Sequence, residues 1–319
     1  MPRAALAPAV VDAPEPGADR FAPVRAWLAA QGHTPFAFQQ EVWSAYARGE
    51  SGLIHAPTGM GKTWAAWLGP LALGPAGAED APPPLAVVWI TPLRALASDT
   101  GLAHARAAQA LKPHWTVDVR TGDTPASART RQDRRLPTAL VTTPESLTLM
   151  LSRADWRERF AHLQAVVVDE WHELLGSKRG VQGELAMARL TSLKAALPIW
   201  GLSATLANPD EAASALLGPA RAASARIVRG LEAKTVVIDT LRPKTIARFP
   251  WAGHIGLRLL PEVIRAIERA RSTLVFTNVR SQTEIWYQAL LAARPDWAGL
   301  IALHHGSLER EVRDWVEAG

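Results

Sequence analysis

The residues whose types and spacing best suit chemistry form a run of eight, Ala-Pro-Thr-Gly-Met-Gly-Lys-Thr, from Ala56 to Thr63. An apolar segment precedes the run and a helix-forming apolar segment follows it, which is the order of a P-loop. Gly59 and Gly61 let the backbone curl so that its N–H groups face phosphate oxygens. Lys62 can reach the β- and γ-phosphates, and the Thr63 hydroxyl can bind Mg²⁺. The predicted nucleotide contacts in this run are Thr58, Gly59, Met60, Gly61, Lys62 and Thr63.

One position departs from the usual P-loop pattern. Its first residue is Ala56, where the pattern has glycine. A glycine-rich turn that happens to precede a lysine is therefore an alternative for this run taken alone. A second motif elsewhere in the chain favours the nucleotide site.

That second motif is a pair of acids, Asp169 and Glu170, at the end of an apolar, β-branched run. Such a run is typical of a strand buried on both faces of a parallel sheet, and catalytic residues collect at the carboxyl ends of these strands. We expect Asp169 to hold Mg²⁺ and Glu170 to polarise the water that attacks the γ-phosphate. An exposed strand end that caps the next helix is the alternative, and the presence of both motifs in one chain disfavours it.

Composition bounds the class of protein. The 319 residues suffice for two domains, and no apolar segment is long enough to span a bilayer. The absence of cysteine excludes disulfides, thiolate catalysis and cysteine-bound metal. Residues 1–20, rich in Ala and Pro and interrupted by acids, predict a disordered leader rather than a secretory signal. A cytoplasmic location fits these observations.

The charge balance permits a polyanionic partner without requiring one. The formal net charge is +5 and the pI is about 9.9. Basic residues cluster at 129–135 and 178–179. A solvated surface explains such clusters as well as a nucleic-acid site does.

Periodicity predicts an α/β fold with a parallel sheet and helices on both faces. Helices are expected within 21–50, interrupted at Gly32. The remaining elements of the first domain alternate. Strands are predicted at 52–56, 85–90, 116–120, 138–142, 164–169 and 198–203, and helices at 62–69, 93–111, 144–151 and 181–195. One more strand is predicted just beyond this domain, at 226–228.

A domain boundary is expected near residues 221–250, where the alternation is interrupted. We predict a first domain at 21–222, a linker and domain entry at 223–260, and a second domain at 261–319. Two strand–helix units are too few for a doubly wound domain, so we expect the second domain to be incomplete. Its predicted elements are helices at 261–271, 280–292 and 308–317 and strands at 273–277 and 299–304, and a further strand is predicted at 235–238 in the linker.

Taken in order, the motifs resemble those of superfamily 2 helicases, which have RecA-like domains. Gln39 resembles the Q-motif glutamine that reads the adenine edge, and the run Asp169 to His172 resembles the DExH form of motif II. Ser203 and Thr205 resemble motif III, which couples the ATP site to nucleic acid. Further segments resemble motifs Ia, Ib and IV and the segment after motif IV. Their residues are Thr91, Pro92 and Arg94, then Thr143 and Pro144, then Asn278 and Arg280, and finally His305 and Gly306.

The resemblance implies roles for these residues. The residues of motifs Ia, Ib and IV, with His305 and Gly306, would hold the phosphates of a single strand, and His172 would bond to motif III or sense the γ-phosphate. Strand-to-helix Thr-Pro turns can present hydroxyls and backbone N–H groups to phosphates. Each Thr-Pro pair taken alone favours an ordinary strand-to-helix turn, whereas the order of the motifs and their place at strand ends favour phosphate contacts.

Within the superfamily, three segments are similar to the large helicase-related (Lhr) group and to its bacterial ligase-associated DEXH-box helicases. The segments are 169–174, 178–180 and 200–205. The resemblance implies ATP and Mg²⁺ as cofactors and a 3′–5′ motor on single-stranded DNA that unwinds duplexes and RNA–DNA hybrids. It also implies a role in DNA repair, with a ligase or nuclease as partner.

Motifs V and VI of the superfamily, which carry arginine fingers, do not occur before Gly319. Because an arginine finger contributes about 10³–10⁵ in phosphoryl transfer, we expect this chain to be a weakly active, C-terminally truncated piece. Two alternatives remain open at this point. One is an RNA helicase, and the other is a nucleotide-gated nucleic-acid binding module without turnover.

Overall fold

The computed structural model describes residues 19–77, 81–206, 208–230, 237–242 and 255–318. The chain divides into two compact units, Met1–Ala233 and Lys234–Gly319. The predicted leader therefore lies outside the described residues, apart from its last two positions.

The first unit is built on a parallel sheet of seven strands. All seven strands that the apolar runs predict in this unit are confirmed, with ends displaced by one or two residues. Their bounds are β1 Gly52–His55, β2 Val87–Ile90, β3 Val117–Arg120, β4 Ala139–Thr142, β5 Ala165–Val168, β6 Ile199–Ser203 and β7 Arg226–Arg229.

Helices cover both faces of this sheet, as predicted. Alternate strand residues point to opposite faces, so that Ile54 joins one core cluster and Leu53 the other. Both clusters are fully apolar and buried, which explains why the strands read as continuous apolar runs. The helices are α1 Ala22–Ala30, α2 Ala37–Ala47, α3 Lys62–Leu73, α4 Arg94–Leu111, α5 Ala126–Arg134, α6 Pro144–Leu151, α7 Trp156–Phe160, α8 Trp171–Leu174, α9 Lys178–Leu193, α10 Pro209–Leu217 and α11 Pro219–Ala222.

Helix α9 begins three residues before its predicted start. Ser177 caps it, because its hydroxyl accepts a hydrogen bond from the N–H of Gly180 at 3.1 Å. A Cβ at Gly180 would lie 2.0 Å from the carbonyl oxygen of Leu174. Glycine disfavours a helix by propensity, and here it is required by this close approach. The lysine and arginine at 178 and 179 are therefore the first turn of a helix.

Strand order brings the predicted motifs to one edge of the sheet. The order is β3-β4-β2-β5-β6-β1-β7, and every paired strand is parallel. The carboxyl ends of all strands therefore meet at the same edge. Along it, the P-loop follows β1, motif III ends β6, the acid pair follows β5, and the two Thr-Pro turns follow β2 and β4.

The second unit is helical in its described residues. It contains α12 Leu260–Glu268, α13 Arg280–Ala293 and α14 Arg310–Ala318, with 3₁₀ turns at Ile255–Leu259 and Pro295–Trp297. The three predicted helices are confirmed. The strands predicted at 273–277 and 299–304 are wrong, because neither segment pairs with another segment in the described part of the chain.

The physical reason is that a strand exists only through hydrogen bonds to a neighbour. Both segments have the apolar composition of a buried strand, yet Leu274 is 83% exposed and Phe276 is 88% exposed. Of the strand predicted at 235–238, residues 235 and 236 lie outside the described residues, and 237 and 238 are not in a strand.

One core residue makes stability depend on pH. His104 of α4 is fully buried, stacks on Trp67 at a centroid distance of 4.2 Å and meets the ring of Trp89 edge-on at 4.4 Å. Burial lowers the pKa of His104 from 6.5 to about 3. A lowered histidine pKa means that stability is complete above pH 6.5 and is lost as pH falls from 6.5 toward 3.

We expect the free energy of unfolding to fall by about 2 kcal/mol between pH 7.5 and pH 5 through this residue. Urea unfolding at both pH values, for the parent and for His104→Phe, measures the effect. The variant should lose about that much less over the same interval. Equal losses in the two proteins would contradict the burial of a neutral histidine.

Candidate active site at the carboxyl edge of the sheet

The loop from Ala56 to Thr63 has the backbone of a phosphate cradle. Gly59 and Gly61 adopt φ values of +81° and +79°, which favour glycine. Helix α3 begins immediately after, so its free N–H groups and positive end face the loop. Thr58 and Gly59 are exposed, Met60 is buried, and Thr63 is half-buried. The sequence predicted the glycine-bearing turn and the helix that follows it, but not the exposure of the individual residues.

Ala56 explains how the chain tolerates its departure from the usual pattern. Its side chain is fully buried and belongs to the core cluster that includes Ile54 and Met60. Its N–H donates to the carbonyl oxygen of Ser203 at 3.2 Å. The methyl group therefore packs inside the protein, and the backbone ties the start of the loop to β6.

Lys62 is held inside its own loop. Its ammonium donates to the carbonyl oxygens of Ala56 at 2.7 Å and Pro57 at 3.2 Å, and the residue is only 7% exposed. Burial lowers the pKa of Lys62, and the charges of Glu170 and Asp169 act in the opposite direction. The ammonium thus lies at the cradle with partners that a phosphate can replace.

Gln39 touches the P-loop directly. Its amide Nε2 donates to the carbonyl oxygen of Gly61 at 2.9 Å, and its Oε1 accepts from the N–H of Phe36 at 2.9 Å. The side chain is 4% exposed. Both ends of the amide therefore have partners, and Gln39 braces the loop that the nucleotide would contact. Its reading of adenine remains a prediction.

This contact predicts an unequal cost for two glycine substitutions. A Cβ at Gly61 would lie 2.6 Å from Nε2 of Gln39, whereas a Cβ at Gly49 would meet nothing within 4 Å. Both glycines have φ values near +75°. We expect Gly49→Ala to lower the free energy of unfolding by about 1 kcal/mol through strain alone, and Gly61→Ala by about 3 kcal/mol. Urea unfolding of both variants is the measurement, and equal losses would mean that the amide moves aside freely.

The acid pair has an unusual backbone. Glu170 has φ +44° and is the one non-glycine residue with positive φ among those the structure describes. Such a conformation costs about 1–3 kcal/mol and is found at functional sites. Oε2 of Glu170 is buried without a hydrogen-bond partner in the described part of the chain. An acceptor in this state suits a water molecule of the reaction.

The Asp169 carboxylate is fixed at both oxygens. Oδ1 accepts from the N–H of Glu170 at 3.0 Å, and Oδ2 accepts from the indole N–H of Trp89 at 3.3 Å. Burial, followed by the charge of Glu170, raises the pKa of Asp169 to about 6. A nearby cation would favour the ionised form.

His172 connects the acid pair to motif III. Its Nδ1 lies 3.0 Å from the hydroxyl of Ser203 and 3.4 Å from Oε2 of Glu170. The Ser203 hydroxyl donates its single proton to the carbonyl oxygen of Thr205 at 2.9 Å. His172 must therefore carry its proton on Nδ1 and donate it to Ser203. The predicted coupling residues thus form one chain of contacts.

The Thr-Pro turns lie at the same edge, and their hydroxyls have local partners. Thr91 is fully buried, and Thr143 caps α6 by accepting from the N–H of Ser146 at 3.4 Å. Pro92 and Pro144 are buried as well. These hydroxyls therefore stabilise the turns. The predicted contacts with a nucleic-acid strand at these positions then depend on backbone groups and on Arg94.

Arg94 is exposed and leads to a turn that sequence reasoning missed. Its guanidinium pairs with Asp123 at 3.1 Å and lies against Gly122. The turn is tight, since the N–H of Thr121 donates to the hydroxyl of Thr124 at 2.8 Å. It follows β3 at the same sheet edge. A Thr-Gly-Asp-Thr run directly after a predicted strand was the available signal.

The basic cluster at 129–135 is arranged as a solvated surface whose arginines pair with nearby acids. Arg131 pairs with Asp118 at 3.0 Å, and Arg120 of the adjacent strand pairs with Asp133 at 2.8 Å. The ion pairs tie α5 to β3. The cluster therefore favours a structural role over a nucleic-acid site.

In the second unit, the residues predicted to contact the nucleic-acid strand lie close together. Arg280 opens α13 and donates to the hydroxyl of Ser307, beside Gly306. His305 lies 3.3 Å from Glu284. Asn278 is exposed just before the helix. These residues form one patch of this unit, and their roles remain predictions.

The donors at the P-loop edge fit Mg²⁺ bound in the usual way for a nucleotide. Mg²⁺ is usually held by one or two carboxylates together with substrate phosphates and waters. Asp169 supplies a carboxylate oxygen and Thr63 a hydroxyl oxygen, and the described residues contain no group of three or more metal-binding side chains.

In the part of the chain that the structure describes, no helix combines the length and apolar character needed to cross a membrane.

Comparison with known proteins accounts for this arrangement. The DEAD/DEAH box helicase family matches residues 36–212. The ATP-dependent helicase Lhr-Core protein 2 of Thermococcus barophilus is 33% identical over 313 residues, covering 92% of this chain and 36% of that protein. The Lhr helicase/uracil glycosylase of Escherichia coli is 33% identical over 308 residues, covering 86% of this chain and 20% of that protein. The chain thus spans about a third or less of these relatives.

A solved structure of an Lhr helicase is also similar to this chain. The helicase Lhr of Mycobacterium smegmatis, determined with single-stranded DNA and AMP-PNP, superposes with a TM-score of 0.73 at 32% identity, over 94% of this chain and 40% of that one. The DEAD-box helicase Mss116 shares the fold alone, with a TM-score of 0.61 at 14% identity over 91% of this chain and 59% of that one. The resemblance to the Lhr group and the RecA-like fold are confirmed. The chain belongs to the DEAD/DEAH box helicase family.

Proposed function

We propose that this chain carries the ATP-hydrolysing site of a helicase that moves along single-stranded DNA. The observation that carries the proposal is the convergence of P-loop, acid pair, motif III and Thr-Pro turns at one sheet edge. The similarity to the Lhr helicase bound to single-stranded DNA and AMP-PNP supports it. The predicted division into 21–222, 223–260 and 261–319 belongs to this proposal with one change: the first domain extends through β7, which pairs with β1 in the sheet of the first unit.

The chemistry follows from the placed groups. The left-handed glycines and the start of α3 hold the phosphates, and Lys62 exchanges its two loop carbonyls for phosphate oxygens. Mg²⁺ would be held by Asp169 and Thr63, where it supplies positive charge against the phosphates. Glu170 orients and deprotonates the attacking water through its buried carboxylate.

The coupling runs through His172. Movement of Glu170 as phosphate leaves alters the His172 contact, and His172 shares its Nδ1 proton with Ser203 at the end of β6. The carbonyl of Ser203 also accepts from the N–H of Ala56 at the start of the P-loop. A change at the acid pair is therefore passed to the P-loop and motif III together.

From the family resemblance we further propose 3′–5′ movement and unwinding of duplexes and RNA–DNA hybrids. A role in DNA repair in the cytoplasm, with a ligase or nuclease as partner, belongs to the same proposal. Backbone grips do not distinguish DNA from RNA, so RNA must be tested directly.

The test compares ATP hydrolysis with single-stranded DNA and with RNA of the same sequence. The strand grip is probed with Arg94→Ala, and Arg131→Ala is the matched control. Both arginines are exposed, at 60% and 66%, and each pairs with one aspartate. Arg94 lies at the carboxyl edge, whereas Arg131 pairs with a residue near the start of β3.

We expect DNA to stimulate hydrolysis. Arg94→Ala should weaken DNA binding about fivefold and reduce the slope of log affinity against log salt by about one, and Arg131→Ala should change neither. Stimulation by RNA alone would replace the proposal with an RNA helicase. Nucleotide-dependent DNA binding without turnover would replace it with a binding module.

A further inference from the structure

Three aromatic side chains form a continuous column between the P-loop helix and the acid pair: Trp67 of α3, His104 of α4 and Trp89 of β2. We propose that Trp89 is a positioning residue, which fixes the Asp169 carboxylate for Mg²⁺ through its indole N–H, and that the column holds the indole in place. The inference rests on the proposed function, because it assigns Asp169 to the metal.

The register of the sheet aims Trp89 at this carboxylate. Strand β2 pairs in parallel with β5, and Trp89 lies opposite Val167. Both side chains belong to the same core cluster and so share one face of the sheet. Asp169 is two residues beyond Val167 and lies on that face too. The indole therefore has only to extend along the sheet from Val167 toward Asp169, and its Nε1 lies 3.3 Å from Oδ2 of Asp169.

The hydrogen bond satisfies the indole of Trp89 as well as the carboxylate of Asp169. Trp89 is 1% exposed, and an indole N–H can only donate. Burying such a donor without an acceptor is costly. Asp169 accepts from Trp89 at one oxygen and from the N–H of Glu170 at the other. Two donors at fixed places set the plane of the carboxylate, and the remaining lone pairs stay available to a cation.

The aromatic column accounts for the position of the Trp89 indole. His104 meets the Trp89 ring edge-on, with an interplanar angle of 73°, and stacks on Trp67 at 13°. Trp67 belongs to the helix that starts at Lys62. The P-loop helix therefore supports the metal-binding carboxylate through aromatic contacts. The two hydrogen bonds to Asp169 come from neutral donors, the indole of Trp89 and the N–H of Glu170, which do not compete with Mg²⁺ as a bound cation would.

The test uses two Trp→Phe variants that differ in one hydrogen bond. Trp89→Phe removes the N–H that binds Asp169. Trp67→Phe removes an N–H that has no partner among the described residues and keeps an aromatic ring against His104, so the column is preserved. Mn²⁺ replaces Mg²⁺, and its dissociation constant is measured by electron paramagnetic resonance on the whole chain with AMP-PNP bound. We expect Trp89→Phe to weaken Mn²⁺ binding about tenfold, and Trp67→Phe to leave it unchanged.

Two results overturn the inference: unchanged Mn²⁺ binding in Trp89→Phe, or equal weakening in both variants. Thermal unfolding shows whether Trp89→Phe is folded. If it is not, 3-benzothienylalanine at position 89 keeps the bicyclic ring and removes the N–H, with the same replacement at position 67 as control. Asp169→Asn separates the two proposals. If it leaves Mn²⁺ binding intact, the proposed metal site fails, whereas an effect of Asp169→Asn without one of Trp89→Phe refutes this inference alone.

Discussion

Glu170→Gln should lower the rate of ATP hydrolysis by about 10²–10⁴-fold, which is the usual contribution of a general base. The amide keeps the shape of the side chain and removes its ability to accept the proton of the attacking water. Oε2 of Glu170 is buried without a hydrogen-bond partner in the described residues, so the substitution breaks no hydrogen bond at that oxygen and weakens only its 3.4 Å contact with Nδ1 of His172. Phosphate release under saturating ATP and single-stranded DNA measures the rate.

The neighbouring glutamate supplies the control. Glu173 also lies near the same histidine, with Oε1 3.5 Å from Nε2 of His172, but it is 60% exposed. Glu173→Gln makes the same chemical change outside the site and should retain most of the activity. A Glu170→Gln protein within threefold of the parent would remove Glu170 from the reaction.

Lys62→Ala should weaken ATP binding by about 100-fold. A charged group that donates to phosphate contributes about 3 kcal/mol, and each 1.4 kcal/mol is a factor of ten. The substitution also removes the two donated bonds that close the loop on Ala56 and Pro57. Titration calorimetry with AMP-PNP gives the affinity.

Lys112→Ala is a matched control for this variant. Lys112 is also a partly buried lysine that donates to a backbone carbonyl, that of Gly74 at 3.1 Å, and burial lowers its pKa as well. It reports the general effect of removing such a lysine. Nucleotide affinity that falls equally in both variants would mean that the loop lysine does not touch phosphate.

The central strands of the first unit were readable from the sequence because they are buried on both faces. Val166, Val167 and Val168 illustrate the signal, since burial is complete at all three positions. The strand order was not readable. It depends on pairings between distant segments, such as that of Gly52 with Trp200, which no local pattern encodes.

The second unit shows the opposite case. Phe276 lies in a segment whose composition predicts a strand, but a strand is a relation between segments, and the segment has no neighbour in the described residues. Helices such as α13 were predicted correctly because their hydrogen bonds are internal.

At the site, residue types identified the P-loop and the acid pair, and geometry supplied the rest. Trp89 read as an ordinary core residue, since nothing in its neighbours along the chain points to a carboxylate 80 positions away. Thr91 and Thr143 read as phosphate contacts, and their burial and capping were visible only in three dimensions. Sequence reasoning therefore finds groups with reactive chemistry more readily than it finds the groups that aim them.

The left-handed backbone at Glu170 has a consequence for the evolution of this chain. Glycine or asparagine would occupy φ +44° with less strain, so either substitution should raise thermal stability. Either substitution would also remove the carboxylate to which the proposed function assigns activation of the attacking water. We therefore expect variants selected at position 170 for resistance to heat to lose ATP hydrolysis as they gain thermal stability.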